Sequence, residues 1–105
     1  MASPAEHWLQ APLAELTAQG RILLEAGDRS IAVFYVEGEI HALENACPHA
    51  GNPLIEGEVL GRTLVCAFHS WRFDLESGAC LLGERPVRRY PVEKRGAEIW
   101  VDLKV

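Results

Sequence analysis

The chain has 105 residues, 49% of them hydrophobic and 24% charged, with a formal net charge of −5, which suits one domain over residues 1–105 built on a small core. The negative balance argues against a nucleic-acid partner, since phosphate recognition needs clustered Lys and Arg. The longest apolar run, residues 31–36, is six residues against the roughly 20 that span a bilayer, and residues 1–6 lack a basic stretch followed by an apolar one, so neither a membrane segment nor an export signal is expected and the cytoplasm is the expected location.

In chain order, Pro12 at a first helical position with Leu13 and Leu16 spaced by three predicts a short helix over 12–18. Residues 21–25 and 30–36 are apolar runs separated by Ala26-Gly27-Asp28-Arg29, and Glu37-Gly38-Glu39 turns the chain into residues 40–44. Runs of this length, rich in Ile, Val, Phe and Tyr and punctuated by Gly and Asp, predict antiparallel strands and hairpins. Residues 63–66 and 71–75 form a second pair, ending at Glu76-Ser77-Gly78. Residues 89–93 and 98–105 flank a turn at 94–97. In the last run Ile99, Val101, Leu103 and Val105 share one face, as in a strand with one side on a core, and Trp100 is expected to pack on a neighbouring loop. The fold expected is all-β, with the middle of the chain, about residues 45–73, carried as an insertion on a β scaffold.

That insertion holds two short motifs, Cys47-Pro48-His49 and Cys66-Ala67-Phe68-His69, with sixteen residues between His49 and Cys66. Each offers a thiolate and an imidazole from one loop. Thiolates select zinc, Cu(I) or iron–sulfur clusters. Zinc fingers usually keep the Cys pair together and the His pair together, whereas here each loop mixes one of each. The mixed order suits a cluster of two irons, one bound by Cys47 and Cys66 and the other by His49 and His69. A structural zinc site at the same four residues, or a Cys47–Cys66 disulfide, are the competing readings.

Cys-Pro-His-Ala-Gly at 47–51 and Cys-Ala-Phe-His-Ser-Trp-Arg-Phe-Asp at 66–74 resemble the two cluster loops of Rieske proteins, with Ile40 to Asn45 before the first and Leu75 to Gly78 after the second agreeing. The resemblance runs from about Trp8 to Leu103 and is closest to the small ferredoxins that serve multicomponent oxygenases. It implies an antiparallel β sandwich or barrel with a small cluster-binding subdomain and one [2Fe–2S] cluster on Cys47, His49, Cys66 and His69. Respiratory relatives carry an extra Cys in each loop, forming a bracing disulfide; the matching places here are Asn52 and Phe68. Those relatives also place a Ser and a Tyr that donate hydrogen bonds to sulfur, where this chain has Trp71 and Phe73. Fewer donors imply a potential near the low end of the Rieske range, about −150 mV. The family's proline-rich loop is half kept, at Gly83 and Pro86.

Other residues are read more plainly. Ser70 satisfies local backbone, Cys80 is a small buried hydrophobe, Arg85 is solvated, His41 is an outward-facing strand residue and His7 is inert. No Gly-x-Gly fingerprint occurs, and His7 and His41 alone cannot supply the two-His, one-carboxylate iron site of an oxygenase. The expected function is therefore one-electron transfer, with no catalysis and no small-molecule substrate of its own. The partners expected from the resemblance are a flavin-containing reductase and a terminal oxygenase. Two alternatives stand beside it: the small [2Fe–2S] subunit of an assimilatory nitrite reductase, and a structural zinc module for protein interaction. The acidic run Glu37, Glu39, Glu44, Glu56 and Glu58 suggests a basic docking face on a partner.

Overall fold

The computed structural model describes residues 8–48, 51–67, 71–83 and 85–103. It begins with β1 (Trp8–Pro12), α1 (Leu13–Gln19), β2 (Arg21–Ala26), β3 (Arg29–Val36) and β4 (Glu39–Glu44). A 3-10 turn at Leu54–Glu56 leads into β5 (Glu58–Leu60), β6 (Thr63–Val65), β7 (Arg72–Asp74) and β8 (Cys80–Leu82). The chain closes with β9 (Arg89–Tyr90), β10 (Val92–Arg95) and β11 (Glu98–Asp102). These pair as three antiparallel sheets, in the orders β1-β11-β10, β2-β3-β4-β9 and β5-β6-β7-β8. The expected all-β architecture is what forms, and the inserted sheet carries the insertion beyond residue 73 to Leu82.

The middle sheet is a shared wall. On β3, Ile31 and Val33 enter one core with Leu16, Ala42, Tyr90, Ile99 and Val101. The alternate residues Ala32 and Phe34 enter a second core with Leu43, Leu54, Leu64, Phe73 and Leu75 of the insertion. A strand buried on both faces cannot alternate apolar and polar residues, which explains the unbroken run through β3. The β3–β4 turn places Glu37 at φ 52 and Gly38 at φ 82, the two positive φ angles that a two-residue hairpin matched to strand twist requires.

Several boundaries differ from the sequence reading. Pro12 ends β1 and caps the helix in an extended conformation (φ −66, ψ 129) rather than opening it, and Gly20 at φ 82 stops α1 with its N–H on the Leu16 carbonyl. Residues 89–93 are not one strand. Proline at 91 lacks a ladder N–H, so Arg89–Tyr90 pairs with β4 while Val92–Arg95 leaves for the β11 sheet. Trp100 packs not on a loop but against strand neighbours: the Arg95 guanidinium lies 4.5 Å from its ring and 5.1 Å from that of Trp8. Of the last run, Ile99 and Val101 are fully buried, and Val105 lies outside the described residues, as does His7.

The reading of His41 as outward-facing is corrected. It shares the Leu43 face of β4, and because that face meets the insertion its side chain is 4% exposed. Burial, with help from the Arg89 charge, holds its pKa below the ordinary 6.5. The folded protein thus keeps the ring neutral where the unfolded chain takes up a proton, so stability is complete above about pH 6.5 and falls as pH drops through it. Urea midpoints measured from about pH 8 to about pH 5.5 should therefore fall more steeply for the wild type than for His41→Leu; equal slopes would remove His41 as the cause.

Candidate metal centre

Two loops grow from the ends of the wall and of the inserted sheet. The first leaves β4 through Asn45, whose N–H donates to the Ser30 carbonyl at 2.8 Å, and reaches Cys47. There the Cys47 N–H donates to the Asn52 carbonyl at 2.7 Å, and the Gly51 N–H donates back to the Cys47 carbonyl at 2.7 Å. Gly51 sits at φ 76, a backbone state that a β-carbon would strain. The second loop leaves β6 at Cys66 and returns to β7 at Trp71, where the Cys66 N–H donates to the Trp71 carbonyl at 2.8 Å.

The closures match: in each loop the cysteine N–H reaches the carbonyl five residues on. His49 lies in sequence inside the first span and His69 inside the second, and both fall outside the described residues, as do Phe68 and Ser70. Cys47 and Cys66 are each 1% exposed and belong to one buried cluster with Leu54, Leu64, Phe73 and Val87, and no disulfide joins them. A thiolate in so apolar a setting is costly unless a cation compensates it. The two buried thiols brought into one core therefore fit a metal cluster, and the same two loops carry His49 and His69 in sequence as candidate nitrogen donors. Cys80 is half-buried at the margin of this core, more open than expected, and Arg85 is exposed as expected.

The bracing residues were not visible in sequence. Asn45 Oδ1 accepts the Ile55 N–H at 2.7 Å and fixes the 3-10 turn that follows the first loop. From the wall, Arg21 donates through Nη1 to the carbonyls of Ile55 (2.9 Å) and Gly57 (2.6 Å) while its guanidinium lies 5.0 Å from the Phe34 ring centre. Behind the second loop, the Trp71 ring lies so close to Gly83 that a β-carbon there would stand 2.5 Å from it. Asn45 just before the first motif and Gly83 in the half-kept proline-rich loop carried a family signal but not these contacts, and Arg21, which acts across a long sequence separation, carried none. The acidic run also divides. Glu37 and Glu39 stand at the end of β4 remote from the loops, and Glu39 is 3.1 Å from Arg62, whereas Glu56 and Glu58 are exposed just after the first loop.

A family model described as the Rieske [2Fe–2S] domain matches residues 8–93. The ferredoxin component of the naphthalene 1,2-dioxygenase system of Pseudomonas aeruginosa is 31% identical over 101 residues, covering 93% of this chain and 97% of that protein. The ferredoxin component of the p-cumate 2,3-dioxygenase system of Pseudomonas putida is 37% identical, covering 82% and 77% respectively. Among solved structures, the ferredoxin of carbazole 1,9a-dioxygenase from Nocardioides aromaticivorans IC177 superposes with a TM-score of 0.80 at 30% identity, covering 90% of this chain and 94% of that one.

Replacing Asn45 by Ala leaves the Ile55 N–H without its acceptor, at an expected cost of about 1–3 kcal/mol in unfolding free energy. Asn45→Asp keeps the acceptor and should lose less. Equal losses in denaturant titrations of the two variants would show that this bond is not what holds the turn.

Proposed function

The chain belongs to the Rieske [2Fe–2S] domain family, and from that membership we propose that residues 1–105 act as one domain carrying single electrons from a flavin-containing reductase to a terminal oxygenase. One [2Fe–2S] cluster, held by Cys47, His49, Cys66 and His69, supplies the one-electron chemistry. The observation that carries this reading is the pair of buried thiols, Cys47 and Cys66, each in a loop where the cysteine N–H meets the carbonyl five residues on. Similarity over almost the full length of ferredoxin components supports the carrier role: it is an electron-transfer component and not itself a catalyst. A location in the cytoplasm agrees with the finding that no described helix is long and apolar enough to cross a membrane.

The chain's own residues supply ligation, rigidity and exclusion of water. Leu54, Leu64, Phe73 and Leu75 are fully buried behind the loops, and an apolar shell of this kind limits solvent access and so tunes the potential. Closure of each loop through backbone hydrogen bonds keeps the donor atoms in place as charge changes. Glu56 and Glu58, exposed beside the first loop, offer negative charge to a basic partner face. Such contacts favour fast, salt-sensitive association.

Anaerobically purified protein should contain two irons and two sulfides per chain and show the low-field spin signal of a reduced Rieske centre. That signal should disappear in His49→Ser and in His69→Ser. Reduction by a flavin reductase and reoxidation by a terminal oxygenase should both slow as salt rises. Colourless, zinc-loaded protein would overturn the reading.

Phe73 offers no donor to the cluster. A hydroxyl placed there is worth about 0.5–1.5 kcal/mol if it reaches sulfur, so Phe73→Tyr should raise the potential by about 20–60 mV for one electron. An unchanged potential in electrochemical titration would mean that this side chain does not face ligand sulfur.

A further inference from the structure

The break at Pro91 has a consequence away from the cluster loops. Because Val92–Arg95 leaves for the β11 sheet, the Glu39–His41 part of β4 has no strand ladder on that side among the described residues. The gap is a cavity of about 350 Å³ lined by Tyr35, Glu39, His41, Arg89 and Lys94 among others, within the size range of small-molecule sites. It lies at the hairpin end of β4, while the first cluster loop leaves from the opposite end.

Four buried side-chain polar atoms lack a hydrogen-bond partner among the described residues: Glu39 Oε1, both ring nitrogens of His41, and Arg89 Nε. All four belong to residues lining this one cavity. Buried polar groups are almost always satisfied, so a convergence of this kind calls for an occupant.

The charges select its class. Arg89 and Lys94 bring two positive charges to the lining. The single negative one in the lining, on Glu39, lies 3.1 Å from Arg62 Nη2, a guanidinium whose Nη1 also pairs with Glu76 at 3.0 Å, which leaves the two lining cations in excess. A cation would meet Arg89 and Lys94 against Glu39 alone, a carboxylate already shared with Arg62, whose own charge is divided between Glu39 and Glu76. Water would satisfy the donors and leave the positive charge in place. We infer that the cavity binds a small oxyanion, a carboxylate or phosphate group, received by Arg89 Nε, one N–H of His41 and the Lys94 ammonium. The neutral state of His41 suits this, since a neutral ring keeps one N–H to donate and one lone pair to accept.

The test uses the oxidised, cluster-loaded protein with nitrogen-labelled histidine, following the His41 ring resonances during titration with sodium acetate, with sodium phosphate, and with sodium chloride at matched ionic strength. Saturable shifts with acetate or phosphate in the millimolar range, absent with chloride, support the site, and the arm that saturates names the oxyanion. Arg89→Leu should weaken binding at least tenfold. Lys94→Gln, at an exposed position less exposed to folding failure, should weaken it severalfold, whereas Arg85→Gln, which removes a charge outside the cavity, should leave it unchanged. Shifts that follow ionic strength alone, no saturation with either oxyanion, or equal loss in Arg85→Gln and Lys94→Gln would overturn the inference. The outcome does not depend on which partners exchange electrons with the cluster.

Discussion

Strand β3 sends Ile31 and Val33 into one core and Ala32 and Phe34 into the other, and this double burial joins the scaffold to the insertion that holds both buried cysteines. Without a wall shared by two cores, β5 to β8 would be a small sheet of three-residue strands with too little apolar surface to hold itself together. The magnitudes favour packing over polar contacts as the main source of the join. A fully buried aromatic such as Phe34 is worth about 3–5 kcal/mol against Ala, while a hydrogen bond such as those from Arg21 contributes about 0.5–1.5 kcal/mol.

Polar contacts do something different: they choose one arrangement among many that burial would tolerate. Asn45 bonds Ile55, Arg21 bonds Ile55 and Gly57, and the two cysteine N–H groups close their loops. Each bond satisfies a backbone group that folding has taken from water, so each is expensive to lose and specific in direction. The result is a site whose thiols are positioned by backbone geometry rather than by a disulfide, consistent with Asn52 standing where respiratory relatives have cysteine.

The same wall explains the cavity. Sheet β2-β3-β4-β9 is completed by a strand of only two residues, Arg89–Tyr90, and proline then redirects the chain. One end of β4 leads into the loop that holds Cys47, while the other is left open beside His41, Glu39 and Arg89. The polar groups that gather in the gap are therefore a product of topology, at the end of β4 opposite the one from which the first cysteine loop leaves.

What the sequence determined by itself was local: the two Cys/His motifs and their family, the β-rich class, and the main strands from residue 21 to residue 44. The Cys/His motifs are legible because their residues are neighbours along the chain, and hairpin strands because turn residues and apolar runs sit side by side. Only the tertiary structure decided that Trp8–Pro12 and Cys80–Leu82 are strands, that residues 89–93 divide at Pro91 between two sheets, and that Arg21 supports a turn more than thirty residues away. His41 shows the physical reason. Alternation along a strand says which residues share a face, but whether that face meets water depends on what the rest of the chain lays over it, and here the insertion covers it.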